Sequence, residues 1–466
     1  MEEKNDQIGA FARTIDWRQG LSIAIGVPLL ILPSIGYFTK YVWAFSIFIW
    51  LFSIFQGFMQ NLAYGEMASM FPDASGLPGF AQEVFKELKF KRWELGKLIG
   101  GFSAWSYWFA WNAVLAIFSL LIGQYLHGLI PAFASIDLGV LSLLAGIIIF
   151  TLLIVISYFG LAGGAVLGYI LSFLSIIPLI ALSVMPFIKG NFHLANITNS
   201  FLPTDWNWDF KHIMILFGIM AMAQWSACAW ETAAIYAPEY KNPKKDIPKA
   251  LFYCGFICIF TFLLVQTACI GALGVEAVIA EPFSPMLLLA RQSFGEIGAL
   301  ITVLMLIASM VLIIQTAFLG SARAMHSMAK EGNLPKIFGK TNKYGTPIFA
   351  MIFTALFNLG LIFLKTPSAI LSASAIGYVF ANGISLFAFY KAYNDKKFVQ
   401  LSRDFRAPKG WGKVALFFGI LNIPLYLFGI MILNSIDMGW GSTIVGMAVL
   451  LLYLPLWYYT QRVNSK

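Results

Sequence analysis

Charged residues are scarce in this chain. Asp, Glu, Lys and Arg make up only 11% of its 466 residues, and 59% of the residues are hydrophobic. Globular domains carry about a quarter charged residues, and no water-soluble fold can bury this much apolar surface. The composition therefore excludes an ordinary soluble domain and indicates an integral membrane protein whose main surroundings are the lipid bilayer.

Cysteine and histidine are also rare, at four residues each. Cys228, Cys254, Cys258 and Cys269 lie in or beside apolar runs at spacings unlike those of metal sites, so we expect free packing residues. The motifs HExxH and GxSxG are absent, and Glu231 is nearly alone as an ionisable side chain within the apolar runs. We therefore expect no metal, no cofactor and no enzymatic activity. The repeated filter loops and charge rings of ion channels are also missing.

Long apolar runs, by contrast, are abundant. A transmembrane helix needs roughly 20 apolar residues, and twelve runs reach or approach that length. They are longer and more continuously apolar than the alternating segments of a membrane β-barrel. The predicted spans are 20–38, 42–70, 98–126, 138–158, 162–187, 211–237, 249–273, 296–326, 347–364, 367–391, 412–433 and 439–459. We therefore expect an all-α integral membrane protein with twelve transmembrane helices.

The positions of Lys and Arg predict how these helices are oriented. If the N-terminus is cytoplasmic, the cytoplasmic segments contain 26 of the 31 basic residues and the external segments contain 5. Basic residues favour the cytoplasmic side, so we expect a multi-pass protein of the cell (plasma) membrane with both termini cytoplasmic. The net charge of +9 is spread over seven short segments, which does not favour a nucleic-acid surface.

The same pattern divides the chain into four parts. They are a cytoplasmic N-terminal segment (1–19), a core of ten helices (20–391), a loop with helices 11 and 12 (392–459) and a cytoplasmic tail (460–466). Between helices 2 and 3, the stretch EVFKELKFKRWELGKL (83–98) alternates apolar and charged residues. This pattern predicts a short amphipathic helix on the membrane surface, with a solvated loop as the alternative.

Two of the predicted helices contain interruptions. The first reads LSIAIGVPLLILPSIG, where Pro28 lacks an N–H and clashes with the carbonyl four residues back. The sixth reads IMAMAQWSACAWETAA, with small residues before Trp230 and Glu231. These helices begin two five-helix units, and interruptions at corresponding positions point to a transporter site near the bilayer midplane. A simple proline kink and small-residue packing are the alternatives.

Three ordered stretches resemble motifs of amino acid permeases. AYGEMASMFPDASG (63–76) is similar to their motif at the end of helix 2, and WETAAIYAPEYKNPKKDIPKAL (230–251) to their link between helices 6 and 7. GSARAMHSMAKEGNLPKIFGKTNKYGTP (320–347) is similar to the motif after helix 8. The chain is identified by this resemblance, over about 15–460, as a member of the amino acid–polyamine–organocation superfamily. The resemblance implies a leucine-transporter-type fold with inverted five-helix repeats and broken helices 1 and 6.

The resemblance also assigns a role to the break in helix 1. In the family, backbone N–H groups of a Gly-Ser-Gly-like triplet bind the substrate carboxylate. Alignment on the following Leu-Pro places this triplet at Gly26, Val27 and Pro28, directly after Ile25. An N–H cluster at the start of a half-helix suits an anion. Pro28 removes one donor, and this departure from the family pattern weakens the expected carboxylate contact.

In helix 6, the resemblance implies contacts to the substrate amine. Trp225 corresponds to an aromatic residue that covers the bound substrate, and Ala229 stands where the family has glycine. The backbone carbonyls of Ser226, Ala227 and Cys228 would accept hydrogen bonds from the substrate ammonium. Plain packing is the alternative role for Trp225.

Glu231 is the candidate for coupling or gating. A charge at the bilayer centre costs about 2.5–3.5 kcal/mol on insertion scales. The carboxyl can stay ionised near the positive end of the second half-helix, or it can take up a proton because burial disfavours its charged form. A purely structural N-cap is the alternative.

Helix 3 contributes aromatic candidates for the substrate site. The stretch WSYWFAWNAV (105–114) contains Tyr107 and Trp108, which we expect to contact substrate. We expect that Tyr107, Trp108 and Trp111 do not all share one face of the helix, because only the first and last are four residues apart.

Polar residues in helices 8 and 5 are candidates for lining the substrate path or for coupling transport to an ion. Ser309, Gln315 and Thr316 interrupt an apolar run, and we expect them to bond to a neighbouring helix, with Gln315 a further coupling candidate. Some proton-coupled relatives carry a lysine in helix 5 in place of a sodium ion, and the matching position is about Ser175. Lysine-based coupling is thus disfavoured. A coupling sodium, a coupling proton at Glu231 and ion-independent exchange stay open.

The sequence therefore predicts a secondary active transporter that moves an amino acid across the cell membrane by alternating access. A carrier of a polyamine or another organic amine is the alternative within the same fold. A non-transporting amino-acid sensor is the alternative outside the transporter class.

Overall fold

α-Helices form nearly all of the secondary structure. The computed structural model describes residues 15–24, 26–89, 94–158, 165–437 and 439–464, with side chains in the stretch 165–189 described from Ile176 onward. In these residues the α-helices are α1 (Trp17–Ala24), α2 (Ile35–Val42), α3 (Ser46–Met70), α4 (Gly76–Phe85), α5 (Leu95–Asn112), α6 (Val114–Leu129), α7 (Leu138–Tyr158), α8 (Ala165–Lys189), α9 (Ala195–Thr198), α10 (Phe210–Ala227), α11 (Pro243–Leu273), α12 (Val275–Ala280), α13 (Pro285–Lys330), α14 (Ile348–Ile362), α15 (Pro367–Asn394), α16 (Lys396–Val399), α17 (Trp411–Ile420), α18 (Leu427–Asp437) and α19 (Gly441–Asn464). The described residues contain no strand.

Eight helical segments of the described chain are long and apolar enough to cross a bilayer, and two shorter apolar helices accompany them. Their outer faces expose large apolar side chains such as Ile148, Phe260 and Leu356. Water would disfavour such continuous apolar surface, whereas lipid accommodates it. The chain is therefore a multi-pass, all-helical membrane protein. The count of twelve spans stays a prediction.

The backbone changes conformation inside both helices in which the sequence predicts a break. After α1, a five-residue 3-10 helix (Val27–Ile31) precedes α2. After α10, an eleven-residue 3-10 helix (Ala229–Glu239) completes the segment. Runs of 3-10 helix longer than three or four residues are uncommon because their hydrogen-bond geometry is poorer. Tertiary contacts must therefore hold the second segment in this form.

Contacts with α3 supply part of that support. Gln224 Nε2 and Cys228 Sγ both donate to the backbone carbonyl of Ser53, at 2.5 and 3.2 Å. One turn further along α3, a Cβ at Gly57 would lie only 2.8 Å from the ring of Trp230. Glycine at this position thus lets the interrupted segment pack directly on the α3 backbone.

The amphipathic helix predicted at 83–98 is wrong. α4 runs from Gly76 to Phe85, residues 86–89 are not helical, and α5 begins at Leu95, so residues 86–89 agree with the alternative, a loop. Residues 90–93 lie outside the described residues. Gly76 has φ +62°, a conformation that favours glycine, and Pro78 suits a first helical turn. These residues start the helix seven positions earlier than the charge pattern suggested.

Helix 11 also differs from its predicted form, whereas helix 8 begins where the sequence predicts it. α13 consists of two helical parts separated by the non-helical Gly295 (φ +67°), and the second part begins at residue 296, the first residue of the predicted span 296–326. Between α17 and α18, the six residues Leu421–Tyr426 form a π-helix that contains Pro424. A proline removes one backbone donor, and the wider turn accommodates that loss without ending the helix.

A buried ion pair fastens the loop before α17 to α3. Arg403 Nη1 donates to Glu66 Oε1 at 2.5 Å, and both side chains are only 4% exposed. Glu66 Oε2 also accepts from the backbone N–H of Ala407 at 2.9 Å. The backbone N–H groups of the two residues after Arg403 donate to Ser69 Oγ. The end of α3 and this loop are therefore one unit.

We expect Glu66→Gln to lower the melting temperature of the detergent-purified protein clearly. Glutamine keeps the acceptor for Ala407 but leaves the buried guanidinium unpaired, and breaking a buried pair costs about 3–5 kcal/mol. The control is Glu87→Gln, which breaks the exposed pair between Glu87 and Lys397 and should change little. Equal melting temperatures for Glu66→Gln and the wild type would contradict a structural role for the buried pair.

Candidate functional site

A cavity of about 600 Å³ runs along α5 and α13 and reaches both interruptions. Gly26 and Val27 line it at the first interruption, and Ala229 and Thr232 line it at the second. The cavity continues from there to charged residues near the α3–α4 link. It is thus the place where both irregular backbone segments meet an accessible volume.

α5 supplies an aromatic wall to this cavity. Ala104, Tyr107, Trp108 and Trp111 all line it. The expectation that the last three would not share one face is wrong, because positions i, i+3, i+4 and i+7 form a single stripe at least 100° wide. Trp108 stacks on Trp105 with ring centroids 4.4 Å apart, and Tyr107 meets Trp111 edge-on at 5.8 Å. Such ring faces attract cations.

Trp225 lies one layer behind this wall. Its side chain is fully buried, and its indole N–H donates to the carbonyl of Ala110 at 2.9 Å. Its ring stacks on Trp111 with centroids 5.6 Å apart. Trp111 lines the cavity and Trp225 does not. In this conformation Trp111 is the residue in position to touch a ligand, and Trp225 supports it from behind.

The first interruption has fewer free backbone N–H groups for a ligand carboxylate than the family resemblance implies. Gly26 and Val27 line the cavity, whereas Pro28 is buried and not part of its wall. The N–H of Leu29 donates to the carbonyl of Gly26 at 3.1 Å, and proline has no N–H. Two of the four amide groups from 26 to 29 are therefore unavailable to a ligand. Ile25 lies outside the described residues.

At the second interruption, Ala229 is the residue in contact with the cavity. The hydroxyl of Thr232, which also lines the cavity, donates to the Ala229 carbonyl at 2.7 Å. Ser226 and Ala227 are fully buried at the end of α10, and the thiol of Cys228 is directed at α3. The structure therefore brings one of these four small residues to the wall and places the other three behind it.

Glu231 is buried beside the cavity but does not line it. It is the third residue of its 3-10 helix, in which the N-cap position belongs to Cys228. The hydroxyl of Tyr107 donates to Glu231 Oε1 at 3.4 Å, and Tyr378 and Tyr64 lie close to the carboxyl. No ion pair of Glu231 occurs within the described part of the chain. Tyr107 therefore connects the carboxyl to the cavity.

On α13, Ser309 and Thr316 line the cavity. Their hydroxyl groups donate to carbonyls four residues back in the same helix, at 2.9 and 3.1 Å. The expected bonds to a neighbouring helix are therefore wrong for both residues. Gln315 is half-buried and not part of the wall. The side chain of Ser175 lies outside the described residues.

Five charged residues line the other end of the cavity, and none of them was predicted from the sequence. They are Asp73, Glu83, Glu239, Arg323 and Glu331. Four of the five fall within the three family-like stretches at 63–76, 230–251 and 320–347. The motifs therefore contain four of the charged residues, but the spacing of these residues along the chain does not reveal that they line one cavity.

The described residues hold no obvious metal site. No group of three or more His, Cys, Asp and Glu side chains placed to bind a metal ion occurs among them. All four cysteines are buried and free, as expected for packing residues. The site therefore consists of backbone, aromatic rings, hydroxyl groups and carboxylates.

Comparison with known proteins identifies a family that matches most of the chain and relatives that match parts of it. A model of a family described as amino acid permease matches residues 15–454. The polyamine transporter RMV1 of Arabidopsis thaliana is 25% identical over 363 residues, covering 75% of this chain and 66% of that protein. The uncharacterized amino acid permease YecA of Bacillus subtilis is 26% identical over 395 residues, covering 78% and 83%. The lysine-specific permease LysP of Lactococcus lactis is 30% identical over 195 residues, 38% of each chain.

The chain spans just under two thirds of the length of the Arabidopsis relative. The family consists of permeases, which confirms the expectation that the protein is not an enzyme. Its all-helical membrane fold and the match over 15–454 show that the chain belongs to the amino acid permease family, within the superfamily that its motifs predicted.

Proposed function

We propose that the protein is a secondary active transporter that moves an amino acid or a related amine across the cell membrane by alternating access. The cavity that ends at both interruptions is the main support for this proposal. Within a membrane, irregular backbone is tolerated only where it is buried in protein or lines a cavity. Interrupted helices near the midplane form the substrate sites of many secondary transporters.

Contacts beyond the first interruption support a conformation that is closed at one end. The N–H of Gly36 in α2 donates to the Pro282 carbonyl at 3.2 Å, and a Cβ at Gly36 would lie 2.6 Å from the Val278 carbonyl oxygen. Lys40 of α2 forms an ion pair with Asp437 at the end of α18. The cavity instead continues toward the α3–α4 link, on the predicted cytoplasmic side. This is one of the two end states that alternating access requires.

The finer architecture is part of the same proposal. Twelve helices cross the cell membrane, helices 1–5 and 6–10 form inverted repeats within 20–391, and helices 11 and 12 lie within 392–459. Both termini, 1–19 and 460–466, are cytoplasmic. The distribution of basic residues and the two interruptions support this arrangement.

An organic amine such as a polyamine is the second candidate substrate class. Pro28 and the internally bonded N–H of Leu29 reduce the donors available to a carboxylate at the first interruption. Relatives named for polyamine and for lysine transport agree with either an amine or an amino acid. A non-transporting sensor would bind such a ligand without moving it.

Measured flux separates these candidates. The purified protein in proteoliposomes should accumulate labelled amino acids or amines above protein-free vesicles, with saturation at high substrate. Ligands that raise the melting temperature but show no flux at any imposed proton or sodium gradient would contradict transport and establish a sensor.

Trp111→Ala should weaken substrate binding by about five- to thirtyfold, the effect of losing an aromatic contact to a cation. Trp225→Phe keeps a ring behind Trp111 and should have a smaller effect. Trp208→Ala, at an exposed position, is the control. If binding titrations show a large loss of affinity for Trp225→Phe and none for Trp111→Ala, then Trp225, and not Trp111, contacts the substrate.

We propose that Glu231 couples a proton to transport. The carboxyl is buried, lacks a described ion pair, and is linked to the cavity through Tyr107. Glu231→Gln keeps the size and hydrogen bonding of the side chain but cannot titrate. We expect this variant to bind substrate while the pH dependence of transport flattens. A folded variant with the wild-type rate and pH profile would remove Glu231 from coupling, and sodium-driven or exchange transport would replace this proposal.

A further inference from the structure

A second concave volume lies apart from the cavity at the interruptions. It measures about 430 Å³ and is bounded by the end of α4, the first half of α5, α15, the π-helix Leu421–Tyr426 and α19. All nine of its lining side chains are apolar, and they include Phe85, Leu98, Phe102, Ile384, Phe387 and Leu454. We call this volume the apolar groove.

The apolar groove is open to the surroundings of the protein. None of its lining side chains is fully buried, and Leu454 is 42% exposed. The helices that form it belong to segments long and apolar enough to cross a bilayer, so lipid surrounds them. Water in a groove with apolar walls is unfavourable, whereas a hydrocarbon chain gains many close contacts there. The groove therefore suits an acyl chain.

Close packing between α15 and the helices around Pro424 holds two of the lining side chains in place. A Cβ at Gly383 would lie 2.5 Å from the side chain of Ile423, and a Cβ at Gly419 would lie 2.9 Å from the ring of Phe387. Glycine at both positions thus allows Ile423 and Phe387 to pack against the opposing backbone. The shape of the groove follows from this helix packing and not from a single side-chain rotamer.

The apolar groove has the depth of one bilayer leaflet. Its lining residues on α15 run from Phe380 through Ile384 to Phe387, and Lys391 follows one turn later on the same face of the helix. The eleven residues from Phe380 to Lys391 rise by about 16 Å at 1.5 Å per residue. Half of a hydrocarbon core of about 30 Å is about 15 Å. One acyl chain that starts near Lys391 therefore ends near the bilayer midplane.

Lys391 lies at the end of the groove on the predicted cytoplasmic side. Its Nζ is 5.4 Å from the centre of the Phe85 ring and donates to the Val84 carbonyl at 3.3 Å. An ammonium group has three N–H donors, and Lys391 forms no ion pair within the described part of the chain. The carboxylate of Glu87 pairs with Lys397 instead. Lys391 therefore has a positive charge and donors left for an anion at the mouth of the groove.

A second lysine lies at the same end. Lys97 directly precedes the lining residue Leu98, and its Nζ donates to Gln461 Oε1 at 3.2 Å. Gln461 follows the lining residue Leu454 by seven residues, which places both on one face of α19. The acceptor of Lys97 is neutral, so its charge is also available. Two ammonium groups above an apolar groove complement a lipid that combines an acyl chain with an anionic headgroup.

We propose that the apolar groove binds one acyl chain of an anionic phospholipid, whose headgroup contacts Lys391 and Lys97. The inference requires a protein embedded in a membrane and does not depend on the transport function. The bound lipid contacts α5, α15 and α19 together, so it stabilises the folded arrangement of these helices. α5 also carries the aromatic wall of the substrate cavity.

Native mass spectrometry and melting temperatures of the detergent-purified protein test the proposal, with dioleoyl phosphatidylglycerol and dioleoyl phosphatidylcholine as probes. We expect one retained phosphatidylglycerol per chain and a larger melting-temperature increase than with phosphatidylcholine. Lys391→Gln keeps a donor for the Val84 carbonyl but removes the charge. It should weaken phosphatidylglycerol binding roughly fivefold, the effect of one lysine at an anionic lipid surface, and leave phosphatidylcholine binding unchanged. Lys396→Gln, which removes the same charge at an exposed position outside the groove, is the control.

A second variant tests the acyl-chain part of the site. Ile384→Trp fills the apolar groove and should abolish the retention of both lipids, whereas Ile148→Trp, at an exposed position on α7, should not. If Ile384→Trp does not fold, a salt titration of the wild type gives the second readout. Raising NaCl from about 50 mM to about 500 mM should weaken the binding of phosphatidylglycerol and not that of phosphatidylcholine, because salt screens the lysine charges.

Three other results would overturn the proposal. Phosphatidylglycerol binding that is equal in the wild type, Lys391→Gln and Ile384→Trp would place the lipid elsewhere, and equal competition by glycerol 3-phosphate would show that no acyl chain is needed. Displacement of phosphatidylglycerol by cholesteryl hemisuccinate, unaffected by Lys391→Gln, would assign the groove to a sterol. A wild-type dimer that Ile384→Trp converts to a monomer would assign it to a second copy of the chain. Each of these results leaves the transport proposal intact.

Discussion

The pairing of backbone groups within the membrane is the constraint on which the rest of this structure depends. Lipid offers no partner for an N–H or C=O group, so a helix can be interrupted only where protein or a wet cavity receives the freed groups. Both interruptions here meet that condition. The first lies on the cavity at Gly26 and Val27, and at the second a threonine hydroxyl occupies the carbonyl of Ala229. The position of the cavity thus follows from the positions of the two breaks.

The layers around the cavity follow from the same constraint. An aromatic stripe of α5 forms the wall, Trp225 stacks behind it, and Glu231 lies behind Tyr107. On the far side, Gly57 allows α3 to contact Cys228 and Trp230 directly. A movement of the 3-10 helix Ala229–Glu239 would therefore displace the buried carboxyl and change the contacts with the aromatic wall and with α3 at the same time. Such a coupled movement is what alternating access around a fixed site needs.

The fold could be predicted from the sequence further than the site could. Apolar runs reveal the membrane class, and Pro28 and the small residues near Cys228 reveal where the backbone departs from an α-helix. The start of α4 is marked by Gly76 and Pro78, whereas the charge alternation that predicts a helix lies after it, at 83–98. Family motifs single out Trp225 as the residue that covers the substrate, but they do not show that Trp111, on another helix, lies between Trp225 and the cavity.

The charged residues at the end of the cavity near the α3–α4 link show why the sequence does not reveal the whole site. Asp73, Glu239 and Glu331 are far apart in the chain and belong to different elements. Their shared position on one cavity is a product of tertiary packing, for which periodicity carries no signal. The wall of α5 was accessible to sequence reasoning in principle, since Ala104, Tyr107, Trp108 and Trp111 follow helical spacing. A spacing of four residues alone relates Tyr107 to Trp111 but does not place Trp108 on the same face, whereas spacings of three, four and seven together do.

The central claim is that the cavity at the two interruptions is the substrate path. Protection of a cysteine introduced by Ala229→Cys tests it most directly, because the four native cysteines are buried. A membrane-impermeant thiol reagent applied from the side of the α3–α4 link should label this cysteine. Saturating transported amine should slow the labelling severalfold, while labelling of Thr341→Cys, at an exposed position in the loop after α13 on the same predicted side, should not change. Labelling of the Ala229→Cys protein at one rate with and without substrate would contradict the account.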